Sequence, residues 1–185
     1  MPKKYVVTGK IGSGKSSFID ILKSLNKYDF RSADIDSKKI ISNNINVIKE
    51  IVFELYGKDI DYKELFFKDK ILKDRIEQYV HTKLYQEYRD LKLDRDIFLE
   101  IPLYFETKNL ADKIGFTPYK IIYIDVNKNI RYNRLMQSRN MSVDQIDERE
   151  KYFVSDEVAR SKSDIIIKND DDYNKLKERT LKYFA

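Results

Sequence analysis

The chain of 185 residues contains no cysteine, so disulfides and thiolate-held metal sites are excluded. It has no apolar run approaching the length of a membrane span. It also has no internal repeat, no low-complexity tract and no stretch rich in proline or glycine, which argues for one domain without linkers. The opening "MPKKYVVTGK" leads directly into a glycine loop, with no room for a signal peptide. A soluble cytoplasmic protein is the expectation. Two further absences narrow the class. No Asn-Lys-x-Asp guanine reader occurs, since "IKND" at 167–170 carries Ile where Asn is needed. The apolar run "IIYIDV" ends in Asp125 without the following Glu of a motor-like ATPase.

Charge is abundant but mixed. The formal net charge is +5, yet Lys and Arg alternate with Asp and Glu along most helical stretches, as in "KDKILKDRIEQY". Opposite charges at helical spacing make an ordinary solvated face, and neither a nucleic-acid partner nor a membrane surface is expected.

The segments alternate between strand-like and helix-like patterns. "KYVVT" (4–8), "RDIFLEIPL" (95–103), "KIIYIDV" (120–126) and "SDIIIK" (163–168) read as strands, with a short extended piece in "YDFRSAD". Their nearly continuous apolar character suits a parallel sheet covered on both faces. Phe18, Ile21, Leu22 and Leu25 share one helical face. Two helical patterns, through Ile40–Leu55 and Leu72–Leu84, follow without an intervening strand. A basic helix spans about Ile130 to Gln137, and Ser142 with Gln145 forms a capping box for the next. The last helix is expected to bury Tyr173, Leu176, Thr180, Leu181 and Phe184, with Asp170–Asp172 at its N-terminus. The fold expected is a three-layer α/β phosphate-loop NTPase with a five-stranded parallel sheet. Its core is placed at about 1–35 and 93–185, a helical excursion at 36–92 and a lid at 128–155.

Gly9-Lys-Ile-Gly12-Ser-Gly14-Lys15-Ser16 matches G-x-x-x-x-G-K-[ST] between an apolar strand and an amphipathic helix. Such a loop turns its N–H groups onto phosphate, which places Gly12, Ser13, Gly14, Lys15, Ser16 and Ser17 in the ATP site. Lys15 is expected on the β- and γ-phosphates and Ser16 on Mg²⁺. Without a guanine reader or a motor-like Asp-Glu, a small-molecule kinase is the class that remains. It needs a mobile basic lid, and "NIRYNRLMQSRNMS" supplies Arg131, Arg134 and Arg139. Asp34, in "RSADID", follows the short second strand and is the candidate general base, expected at the carboxyl end of the sheet. Holding Mg²⁺ is its alternative role. Asp36 reads as a helix cap, and Asp125 as a strand-end structural residue.

The ordered series "VVTGKIGSGKSS", "SADID", "YVHTKL", "LEIPLYFE", "YIDVNKNIRYNRLMQSRNMS" and "SDIIIKN" resembles the dephospho-coenzyme A kinase family through nearly the whole chain. The resemblance implies ATP-dependent phosphorylation of the ribose 3′-hydroxyl of dephospho-coenzyme A, giving coenzyme A. It implies Asp34 as base, His81, Pro102, Leu103 and Glu106 as substrate-binding positions, and Arg134 and Arg149 as lid positions. It also puts Asn169 near the adenine. Departures are Lys10 for a usual glycine, with a side chain expected to point outward, Ser32 for an aspartate, Thr82 for a proline and Phe153 for a glutamine. Ser138 and Arg139 stand where arginine and aspartate are usual, and a one-residue shift would let Arg139 substitute. ATP and dephospho-coenzyme A are the partners implied, with a monomer or small homo-oligomer expected. A nucleoside or nucleotide kinase and a non-catalytic nucleotide-binding module remain as alternatives on the residues alone.

Overall fold

A computed structural model describes residues 1–58 and 60–185. Asp59, within the expected helical excursion, lies outside the described residues. Contacts group the chain into two compact units: Met1–Ser32 with Lys92–Lys108 and Pro118–Ala185, and Ala33–Leu91 with Asn109–Thr117.

The first unit is built on a sheet of five parallel strands, β1 (Lys4–Thr8), β2 (Asp29–Ser32), β3 (Ile97–Glu100), β4 (Lys120–Asp125) and β5 (Ile165–Lys168). Their order across the sheet is β2-β3-β1-β4-β5, so the strand feeding the glycine loop is central. Val6 aligns with Leu99 on one side and Ile121 on the other. Both faces of β1 are buried, which is why its apolar residues run without alternation. On one face, Phe18, Ile21 and Leu22 of α1 (Lys15–Lys23) and Leu176 and Phe184 of α10 (Tyr173–Phe184) pack on Tyr5, Val7, Phe98, Ile122 and Ile124. Phe98 anchors this core: Tyr5 stacks on it at 4.8 Å, and Tyr28 and Phe184 meet it edge-on at 4.9 and 5.3 Å. Edge-on and offset pairs of this kind add to the burial of the rings themselves.

Three helices lie between β4 and β5: α7 (Lys128–Arg139), α8 (Val143–Glu150) and α9 (Asp156–Ser161). Each begins on a side-chain cap, from Asn127, Ser142 and Ser155, and the expected Ser142–Gln145 capping box is formed in both directions. Tyr132, Leu135 and Ile146 make a small core of their own with Ile11 of the loop. In α10, Leu176, Thr180 and Phe184 are buried, but Tyr173, the helix's first residue, is exposed.

The second unit holds α2 (Ala33–Asn43), α3 (Ile45–Tyr56), α4 (Tyr62–Leu65) and α5 (Lys70–Asp90). Helix α6 (Tyr104–Ile114) has its first turns in the first unit and the rest in this one. Ile48, Val52, Leu72, Ile76, Val80 and Leu84 are buried at helical spacing. Tyr85 and Tyr88 close around Phe116, at 5.4 and 6.2 Å between ring centres. Asp36 does not cap a helix: α2 already begins at Ala33, so Asp36 falls within its first turn. There it is buried and accepts a 2.9 Å hydrogen bond from the Tyr88 hydroxyl.

Candidate active site

The loop after β1 reverses the chain on three glycines with positive φ: 151° at Gly9, 76° at Gly12 and 90° at Gly14. At Gly14 the need is steric as well as conformational. A Cβ there would lie 2.2 Å from the side-chain nitrogen of Asn169, while Gly14 itself caps α1. The first N–H groups of α1 and its dipole therefore open onto the loop.

Lys15 is the first residue of α1, and its ammonium folds back over the loop, donating to the Gly9 carbonyl at 2.7 Å and the Lys10 carbonyl at 3.2 Å. Ser16 follows it and is exposed, whereas Ser17 is half-buried. Ser13 is buried, with its N–H on the Lys10 carbonyl at 3.1 Å and a hydroxyl that finds no hydrogen-bond partner among the described residues. Asn169, just past β5, is buried and donates its side-chain amide to the Ser13 carbonyl at 2.8 Å. Its own N–H bonds the Asp125 carbonyl at 2.8 Å. Asn169 thus ties the end of the sheet to the crest of the loop.

Pro102, Leu103 and Glu106 follow β3 on the same unit. The Pro102 carbonyl accepts the Thr8 hydroxyl at 2.9 Å, which fixes this turn to the end of β1. Leu103 offers its carbonyl to the Thr107 hydroxyl at 2.8 Å, closing the first turn of α6. Glu106 accepts the Val154 N–H at 2.6 Å through one oxygen, and its other oxygen is buried with no hydrogen-bond partner among the described residues. Pro102 and Glu106 share a small hollow with Thr8, Gly9, Lys10 and Tyr123, with about 10 Å³ open to the centre of a water-sized sphere.

The lid arginines part company. Arg131 is buried and paired with Glu150 at the end of α8, so the expectation that it serves in the lid beside Arg134 and Arg139 does not hold. Arg134 donates to the Asp171 carbonyl at 3.2 Å, ahead of α10. Arg139 and Arg149 are exposed near the ends of α7 and α8. Lys10 does not point outward either, because Glu150 and Asp156 both offer carboxylates to its ammonium.

Asp125, fully buried, receives Arg160 on both oxygens at 2.8 and 3.0 Å and Lys168 at 2.6 Å. Burial pushes its carboxyl up, but the hydrogen bonds and charges of Arg160 and Lys168 outweigh this and hold it below the ordinary range. Arg160 and Lys168 were not legible as its partners, since no local spacing links them to residue 125. Tyr123 donates to Asp156 at 2.7 Å, and burial followed by this bond raises its phenol.

In the second unit, Asp34 is exposed in the first turn of α2. His81 is half-buried on α5, and desolvation lowers its imidazole below the usual 6.5. Among the described residues, no group of three His, Cys, Asp or Glu side chains is placed to hold a metal ion.

A parallel sheet whose central strand runs into such a loop, with helices on both faces, defines a phosphate-loop kinase. The fold is shared with a shikimate kinase from Acinetobacter baumannii solved with shikimate, at a TM-score of 0.57 over 99% of this chain and 91% of that one, with 13% identity. A family model described as Dephospho-CoA kinase matches residues 5–175, and the chain belongs to that family. A curated dephospho-CoA kinase from Campylobacter jejuni (strain RM1221) is 30% identical, covering 98% of this chain and 95% of that protein. A solved dephospho-CoA kinase from Campylobacter jejuni superposes with a TM-score of 0.63 at 28% identity, covering 98% and 95%.

Proposed function

We propose that the chain transfers the γ-phosphoryl group of ATP to the ribose 3′-hydroxyl of dephospho-coenzyme A, the last step of coenzyme A synthesis. Family membership over residues 5–175 carries this reading, and the preformed loop supports it. A nucleotide kinase acting on other acceptors is not favoured by either. The cytoplasm is the compartment proposed; among the described residues no helix is long and apolar enough to cross a membrane.

In this reading the loop N–H groups and Lys15 receive the β- and γ-phosphates. Lys15 exchanges the carbonyls of Gly9 and Lys10 for phosphate oxygens, a gain because the new partners carry full charge. The exposed hydroxyl of Ser16 would hold Mg²⁺ together with the nucleotide, since the described residues offer no all-protein cage. The ion, when bound, neutralises charge developing on the phosphate oxygens. Asp34, exposed and free to meet a substrate, takes the proton of the acceptor hydroxyl. His81, Pro102, Leu103 and Glu106 bind the acceptor, and the buried second oxygen of Glu106 keeps its capacity to accept a hydrogen bond. Arg134 and Arg139 close over the transferring group, where a planar fork matches the equatorial oxygens. Asn169 supports the loop beside the adenine.

Turnover of dephospho-coenzyme A by an Asp34→Asn variant tests the base. A fall of about 10²–10⁴-fold with unchanged MgATP binding is expected. Wild-type turnover would remove Asp34 from that role.

A further inference from the structure

Lys10 stands in the phosphate loop where the family resemblance puts a glycine, and its side chain makes contacts that glycine cannot. The ammonium lies 3.4 Å from Glu150 Oε2 and 3.3 Å from Asp156 Oδ1. Glu150 is the last residue of α8 and also takes the guanidinium of the buried Arg131. Asp156 opens α9 and accepts the Tyr123 hydroxyl. Two cations and two carboxylates therefore balance. None of the four side chains is more than 26% exposed. In such surroundings water does little to compensate a charge that loses its partner.

The backbone of the same residue has a second task. The Lys10 carbonyl accepts both the Ser13 N–H and the Lys15 ammonium, at 3.1 and 3.2 Å. The side chain held by Glu150 and Asp156 thus belongs to the residue whose carbonyl holds Lys15 before nucleotide binds.

We infer that Lys10 is a positioning residue for phosphoryl transfer. It anchors the first turn of the loop and, together with Arg131, neutralises two carboxylates that would otherwise repel a triphosphate. This rests on the reading of the loop as an ATP site and adds to it a determinant of ATP affinity outside the matched motif positions. Without Lys10, the cluster keeps one cation against two carboxylates, within reach of the loop's own side chains. An anion entering the loop then meets a field of the wrong sign, weakly screened because the groups are partly buried.

The test is equilibrium titration of the full chain with MgATP, beside ADP-release kinetics with dephospho-coenzyme A. Lys10→Met is expected to raise the MgATP Kd about tenfold, with KM for ATP rising more than kcat falls. Lys10→Arg returns Kd to within about threefold of wild type. Asp156→Asn, which keeps an acceptor for Tyr123, recovers about threefold of the loss when added to Lys10→Met. A purely structural role would not respond to removing a second charge in this way. If Lys10→Met does not fold, Asp156→Asn alone decides: with Lys10 present it leaves surplus positive charge, so MgATP binds about twofold tighter or better. A Lys10→Met Kd within twofold of wild type, no recovery in the double variant, or unchanged or weaker binding in Asp156→Asn each overturns the inference. If wild type binds MgATP but releases no ADP with dephospho-coenzyme A, the acceptor assignment fails and the inference stands on the titrations. If wild type does not bind MgATP, both fall.

Discussion

Asn169 reaches across 156 residues of sequence to donate its buried amide to the Ser13 carbonyl at 2.8 Å. The contact clamps the crest of the phosphate loop to the end of β5, and Gly14 is the residue that leaves room for it. Asn169→Ala leaves a buried carbonyl without its donor, a loss of about 1–3 kcal/mol. Thermal unfolding is expected to fall by several degrees, with weaker MgATP binding. Gly14→Ala collides with the same amide at a φ of 90° and is expected to abolish MgATP binding in titration.

Lys15 is half-buried, and its ammonium rests on main-chain carbonyls. Lys15→Met is therefore expected to leave the thermal midpoint within a few degrees while lowering turnover by about 10³-fold, since its charge acts on the transferring phosphates. Circular dichroism with ADP-release kinetics separates the two effects. Unfolding of this variant would show that Lys15 is structural.

Asp125 makes stability depend on pH at the acid end. Its folded carboxyl lies below the ordinary 3.8, so its stabilisation is complete above that value and is lost as pH falls beneath it. Asp125→Asn removes the charge facing Arg160 and Lys168 and is expected to cost about 2 kcal/mol at neutral pH. Urea unfolding at pH 7 and pH 3 reads this directly, with the gap between variant and wild type narrowing at the lower pH.

His81 makes stability depend on pH nearer neutrality, and for a different reason. Burial disfavours the imidazolium, so the folded chain binds a proton less readily than the unfolded one. Stability is unaffected above pH 6.5 and declines as pH falls below it. His81→Gln is expected to flatten that segment of the stability curve, as followed by denaturant midpoints between pH 7 and pH 5.

Features set by local pattern were legible from the amino-acid order. The loop, β1 and the Ser142–Gln145 capping box depend on neighbours a few residues apart, and each formed where its spacing placed it. Features that join distant segments were not. Nothing near Arg131 signals that Glu150 will neutralise it, and an amphipathic reading leaves such an arginine in water. Lys10 was expected outside for the same reason, although its partners come from the ends of two later helices. Asp36 looked like a cap because a carboxylate near a helix start usually is one. The buried Tyr88 hydroxyl, more than fifty residues on, claimed it instead.

The proposed transfer runs from ATP to dephospho-coenzyme A on this chain's own loop. The most direct measurement is coupled ADP release by the purified full chain with MgATP and dephospho-coenzyme A, compared with nucleoside monophosphates and with no acceptor. Release is expected to depend on dephospho-coenzyme A, to form coenzyme A in equal amount and to fall by about 10³-fold in Lys15→Met. ADP release at the same rate with a nucleoside monophosphate, or none with any acceptor despite MgATP binding, would contradict it.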